Sequence, residues 1–209
     1  MPAVIAGYAR SPFTPSKRGA LARTRPDDIA ATVVNGLIRE TGVDPALIED
    51  LIVGTAFPEA EQGFNVARLI SLMGLKVDDV PGVTINRFCA SGLETIAIAT
   101  AKIKSGMSDC IIAGGVESMS YIPMTGFKPV PNYNTVSNGK EDYYWGMGLT
   151  AEQVANEYKV SRESQDLFAY ESHQKAIKAL EEKKFSGQIA PIKVKEIYLD
   201  EYLKKKERE

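Results

Sequence analysis

The chain has 209 residues, 44% of them hydrophobic and 25% charged, with a formal net charge of −2. That is the balance of a globular domain with a substantial buried core, and it supplies no basic field to support nucleic-acid binding. Two cysteines in unrelated contexts and one histidine make neither a disulfide framework nor a metal cluster, so a reducing compartment such as the cytoplasm is expected. No apolar run is long enough to cross a membrane, and no signal peptide is legible. The basic residues near the start (Arg10, Lys17, Arg18, Arg23, Arg25) are separated by Ser, Pro, Gly and Thr and read as a solvated loop face.

In chain order, residues 3–8 are short and apolar and predict a strand. Pro26 followed by Asp27 and Asp28 starts a helix, because proline suits the first turn and carboxylates favour the positive end of the dipole. Ile29, Val33 and Leu37 share its apolar face, and Gly42 ends it. Asp44-Pro45 begins a short turn, and Leu51-Ile52-Val53 reads as a buried strand closed by Gly54. Asn65 is placed to cap a helix over 65–73 that Gly74 stops. A strand over 83–88 follows.

Residues 90–103 are almost all small or apolar, which predicts a buried helix. Residues 110–113 are a continuous apolar run, as in a strand covered on both faces. Strand and helix thus alternate, and the expected class is α/β with a mixed or parallel sheet. Residues 117–149 hold Pro123, Pro129, Pro131 and little periodicity, a long loop of the kind that often carries function. Helices are expected at 150–158 and at 162–183, the second capped by Ser161 with Tyr170, Ala176, Ile177 and Leu180 on its apolar stripe. A strand-like run at 189–197 and a charged tail at 204–209 close the chain.

The chemistry concentrates at Cys89, where the third strand meets the buried helix, within Asn86-Arg87-Phe88-Cys89-Ala90-Ser91-Gly92-Leu93. A helix's first turn leaves N–H groups unpaired, and those donors together with the dipole favour a thiolate. The small residues Ala90, Ser91 and Gly92 leave room for a substrate, and the Cys89 N–H is placed to donate to an acyl oxygen. Position alone leaves a buried structural cysteine open as the alternative. Cys110 lies mid-strand and reads as core. His173 sits at helical spacing from Tyr170, Ala176, Ile177 and Leu180 and reads as a packing or boundary residue, not a base.

The run 86–93 resembles the nucleophile motif of the thiolases. Four further blocks look like thiolase blocks in the family order: Tyr8-Ala9-Arg10-Ser11-Pro12-Phe13, Gly63-Phe64-Asn65-Val66-Ala67-Arg68, Ala113-Gly114-Gly115-Val116-Glu117-Ser118-Met119-Ser120, and Met147-Gly148-Leu149-Thr150-Ala151-Glu152. The likeness runs from the first residues to about residue 199, and Arg87-Phe88 before the cysteine looks more like the degradative 3-ketoacyl-CoA thiolases than the biosynthetic type.

The resemblance implies a thiolase-like layered fold of which this is the N-terminal half. An α/β domain at 1–117 would be followed at 118–209 by part of the loop domain that covers CoA. It implies Cys89 as acyl-accepting nucleophile between a 3-ketoacyl-CoA and CoA and Met147 near the acyl pocket, with a loop methionine filling a core gap as the alternative; Gly114-Gly115 reads either as a close turn beneath the site or as a simple strand-ending turn. It implies no cofactor beyond the CoA thioesters themselves. It also implies a homo-oligomer with the strand before the nucleophile near the subunit interface, or pairing with a complementary C-terminal half. The family's second half, with its Asn motif, Gly-His-Pro histidine and second cysteine, has no counterpart in these residues. The expectation is therefore a truncated, incomplete or split thiolase that does not turn over alone and whose buried helix loses one wall. Two rival readings are a related condensing enzyme and a non-catalytic acyl-CoA-binding or subunit-interaction module.

Overall fold

A computed structural model describes residues 2–194, 196–199 and 205–208. The chain divides into two units, residues 1–127 with 188–209, and residues 128–187.

In the first unit, α1 (Pro26–Thr41) opens with proline and two carboxylates and ends at Gly42, whose φ of 67° is the left-handed conformation glycine adopts without strain. Asp44 caps the next turn by accepting from the Ala46 N–H at 3.0 Å. Strand β1 (Asp50–Gly54) is buried at every position. Helix α2 (Val66–Leu75) leads to β2 (Gly82–Ile85), then α3 (Ser91–Lys104) to β3 (Ile111–Gly115).

The three strands are parallel in the order β2-β1-β3. The expected α/β class is observed, and this described sheet is parallel throughout. From β1 the chain moves outward to β2 and then crosses back to β3. Right-handed crossovers in opposite directions place α2 and α3 on opposite faces of the sheet. Leu51 and Val53 accordingly join Val34, Val66, Ala67 and Ile70 in the α1/α2 core, while Ile52, equally buried, points to the other face.

The close crossing of α1 and α2 explains Gly74, which the sequence reading takes for a helix stop. The helix continues one residue past it, and a Cβ at Gly74 would lie 2.9 Å from Val34. Asn65 does not cap α2 with its side chain. It donates to the Gly82 carbonyl at 2.7 Å and accepts from Thr84 Oγ1 at 2.8 Å, which ties the start of α2 to β2.

Three expected strands differ, the one expected at 83–88 ending at Ile85, before the turn that holds Phe88. Residues 3–8 form no strand; the neighbouring Arg10 makes one isolated parallel bridge to Ile189. Of 189–197, only Glu196 and Ile197 are in a strand, as part of β4 (Glu196–Leu199), which pairs antiparallel with β5 (Lys205–Arg208); Lys195 lies outside the described residues.

The second unit contains α4 (Tyr133–Ser137), α5 (Met147–Tyr158) and α6 (Arg162–Glu181), none with a buried residue. Ser161 caps α6 as expected, accepting from the Ser164 N–H at 3.2 Å. Its stripe of Tyr170, Ile177 and Leu180 is exposed. Among the described residues no helix is long and apolar enough to cross a membrane.

Candidate active site

Cys89 lies in a 3-10 turn, Phe88–Ala90, between β2 and α3. It is an exposed free thiol at the carboxyl edge of the sheet. In open α/β sheets this edge, where the strand order reverses, is where ligands gather. Here the reversal falls at β1, between β2 and β3.

The turn holds itself together through Ser91. Its Oγ accepts from the Arg87 N–H at 2.8 Å and donates to the Phe88 carbonyl at 2.7 Å, and the side chain is buried. The Ala90 N–H reaches the Arg87 carbonyl at 3.1 Å and the Ser91 N–H the Phe88 carbonyl. Asn86 Oδ1 accepts from the Phe88 N–H at 2.8 Å. Of the four amides from Phe88 to Ser91, only that of Cys89 meets no acceptor among the described residues. A backbone donor is therefore left beside the Cys89 sulfur. Phe88 itself has φ 46°, a region that side-chain-bearing residues rarely occupy.

The helix behind the thiol differs from a helix buried on all sides. Ser91, Thr95 and Ala99 face inward, with Thr95 Oγ1 3.2 Å from the Gly114 carbonyl of β3. Leu93 is 71% and Ile96 43% exposed. Lys102, near the helix end, pairs with the buried Asp50 of β1. Arg87 and Glu94 form a 3.1 Å ion pair at the solvent edge, worth little to stability.

The glycine that matters for close approach is not in the expected pair. A Cβ at Gly114 would meet nothing within 4 Å, and one at Gly115 would make ordinary contacts at 3.4 and 3.6 Å. Gly54, at the end of β1, is pressed against Ser91, and a Cβ there would lie 2.6–2.7 Å from Ser91 atoms. The position above Gly92 is open.

A polar cluster at the exits of β1 and β3 went unread in the sequence. Glu117 accepts from the Ala56 N–H at 2.6 Å and from Gln62 Nε2 at 2.5 Å. Gln62 is wholly buried, and its Oε1 accepts from the Ser118 N–H at 2.5 Å. The only advance signal was that Glu117 lies inside the block at 113–120 and that Gln62 immediately precedes the block at 63–68.

Of the other candidates, Met147 opens α5 in the second unit and is 69% exposed. His173 lies exposed on α6. Cys110 precedes β3, half-buried, and burial first and the Glu49 charge second push its thiol above the ordinary value.

A family model described as "Thiolase, N-terminal domain" matches residues 3–209. The chain belongs to the thiolase family. It is 50% identical over 192 residues to a 3-ketoacyl-CoA thiolase of Bacillus subtilis (strain 168), covering 92% of this chain and 49% of that protein. It is 38% identical over 187 residues to a 3-ketoacyl-CoA thiolase of Saccharophagus degradans, covering 89% and 47%. It is 38% identical over 178 residues to a probable acetyl-CoA acyltransferase of Staphylococcus aureus (strain COL), covering 80% and 45%. The chain thus spans about half the length of the curated relatives it matches. Within the thiolase match lie both Cys89 and Met147.

Proposed function

We propose that Cys89 is the acyl-accepting nucleophile of a 3-ketoacyl-CoA thiolase, an acetyl-CoA C-acyltransferase of the degradative type. The Cys89 thiolate adds to the 3-keto carbon of the substrate. The bond between carbons 2 and 3 then breaks, carbon 2 takes a proton and leaves as acetyl-CoA, and the shortened acyl group stays on sulfur as a thioester. A CoA thiol gives up its proton, attacks that thioester and releases the thiolate. The second step exchanges one sulfur nucleophile for another of similar basicity, whereas the first expels carbon 2, whose charge is neutralised by the proton it takes.

The observation that carries this reading is the exposed thiol at the carboxyl edge, with its own N–H unclaimed beside it. That donor suits the oxyanion that forms when the carbonyl is attacked. The open space above Gly92 suits close approach of a substrate to the backbone. Met147 contributes to the acyl pocket, and residues 118–209 belong to the region covering CoA. Taking the proton from CoA in the second step requires a base, whereas carbon 2 takes its proton from water or another donor. The single histidine of these 209 residues, His173, lies exposed on α6, and we assign the base to groups outside them, in a complementary C-terminal half. That half, or a second subunit, covers the outward face of α3.

The test is peptide mass spectrometry after incubating the chain with a 3-ketoacyl-CoA. The expected result is an acyl adduct on Cys89, absent in Cys89→Ala, without sustained thiolysis by these residues alone. An adduct on another residue, or an unmodified Cys89, overturns the assignment, and full turnover by the 209-residue chain overturns the placement of the base.

A further inference from the structure

We propose that Asn86 is a positioning residue for the nucleophile turn, and that it is held in place by Glu117 and Gln62 across the carboxyl edge of the sheet. The proposal rests on Cys89 as nucleophile and adds the residues that present it.

Phe88 is the problem to be solved. Its φ of 46° is unfavourable for a bulky side chain, and a conformation of that kind persists only where the surroundings over-determine it. It is the residue immediately before Cys89, so its backbone sets the direction of the thiol. If Phe88 relaxed to an ordinary conformation, the Cys89 side chain and N–H would both swing away.

Two contacts from outside the turn hold Phe88. Its N–H donates to Asn86 Oδ1 at 2.8 Å, and its ring lies 6.3 Å from that of Phe57, tilted by 51°. Both lead to the same place. Asn86 Nδ2 donates to the Ala56 carbonyl at 2.8 Å. The Ala56 N–H donates to Glu117 at 2.6 Å, so Ala56 is fixed at both of its peptide groups. Gln62 Nε2 lies 3.1 Å from the Phe57 carbonyl, 2.9 Å from Thr55 Oγ1 and 2.5 Å from Glu117 Oε1. The Thr55 N–H reaches the Ile85 carbonyl at 3.0 Å, next to Asn86. One line of hydrogen bonds therefore runs from the exit of β3, across that of β1, to that of β2, and ends on the amide before the nucleophile. A buried, fully bonded amide such as Gln62 has one arrangement available to it, which makes it a fixed point for the line. Asn86 is solvent-exposed and contributes no core packing, so the geometry it imposes is its contribution.

The test compares the full chain with Asn86→Ala, Glu117→Ala and Glu117→Gln. It reads the pH–rate profile of Cys89 alkylation by iodoacetamide with peptide mass spectrometry, the thermal midpoint, and hydrogen exchange at the Phe88 amide. Removing Asn86 or the Glu117 carboxylate is expected to lower the plateau rate by about tenfold, within the range that ångström-scale misplacement costs, while unfolding stays cooperative. Glu117→Gln keeps an oxygen for the Ala56 N–H and is expected to restore most of the rate. A folded Asn86→Ala with the wild-type profile and wild-type Phe88 exchange overturns the proposal. Should Asn86→Ala fail to fold, Glu117→Ala decides on the same criterion. If wild-type Cys89 reacts no faster than an unstructured thiol and is never acylated, the nucleophile assignment falls. The positioning role is then judged by Phe88 exchange alone, which must accelerate in Asn86→Ala.

Discussion

A methyl group at Gly54 would strike Ser91, the residue that closes the nucleophile turn on both sides. The obstacle is backbone and Cβ, not the end of a flexible side chain, so helix α3 must shift. Gly54→Ala is expected to destabilise the chain by about 2 kcal/mol, the usual scale of overpacking, and to slow Cys89 alkylation as well. Denaturant unfolding and labelling rates check this; an unperturbed midpoint would show that the contact is soft. At Cys110 the effect is one of pH. Burial and Glu49 raise its thiol, so at neutral pH iodoacetamide should mark Cys89 first, with Cys110 following only under more alkaline conditions. The sign for stability agrees: a thiol that holds its proton more tightly when folded contributes most below the unfolded thiol's value, about 8.5. That contribution is lost as pH rises through the folded value. Equal labelling of both cysteines at pH 7 would contradict the burial argument. At this scale the sequence shows the cysteine, because a strand–helix junction and a motif mark it locally. It does not show Asn86, Gln62 and Glu117 acting together, because the bonds from Asn86 to Ala56 and from Glu117 to Thr55, Ala56 and Gln62 span 30 to 62 positions and no periodicity links them.

Among the elements, α3 is unusual in that its fully buried residues are small or polar while Leu93 and Ile96 are exposed and Ile98 and Ile103 only half-buried. Ser91, Thr95 and Ala99 face the sheet at four-residue spacing, while Leu93, Ile96 and Ala97 face outward. A sequence pattern that is apolar all round says that a helix has two apolar neighbourhoods, but not which is occupied. Replacing Leu93 and Ile96 together by Lys should change folding stability by no more than about 0.5 kcal/mol, as for ordinary surface positions. It should also reduce the binding of a hydrophobic dye. A loss of several kcal/mol would mean that these side chains pack in the chain itself. The alternation of β1, α2, β2, α3 and β3 was legible because short apolar runs and longer helix-like runs follow one another along the chain. The strand expected at residues 3–8 was not realised for the opposite reason: strand composition records a preference, and a strand exists only where a neighbour pairs with it. Among the described residues that stretch has no ladder.

Across the whole chain, burial is distributed very unevenly. Every residue of β1 is buried, and its neighbours Val66, Ala67 and Ile70 are inaccessible. No residue of α4, α5 or α6 is buried, and large apolar side chains such as Leu167, Phe168 and Leu180 are exposed along α6. Helices without a buried face derive little stability from packing, and short helices are marginal on propensity alone. Local opening then costs little in residues 128–187 and approaches the global unfolding free energy in β1. Limited trypsin digestion should therefore cut first within 128–187, where Lys140, Lys159, Arg162 and Lys175 are exposed, and leave a core containing α1 to β3. Amide exchange should be slowest at Leu51, Ile52 and Val53 and fast throughout α6. First cuts inside α1, α2 or β1, or exchange at α6 as slow as in β1, would contradict this division. Because Cys89 belongs to the first unit and Met147 to the second, the same digestion separates the two proposed roles. Cys89 should keep its alkylation rate after the cuts, since the bonds that hold its turn all lie within the first unit.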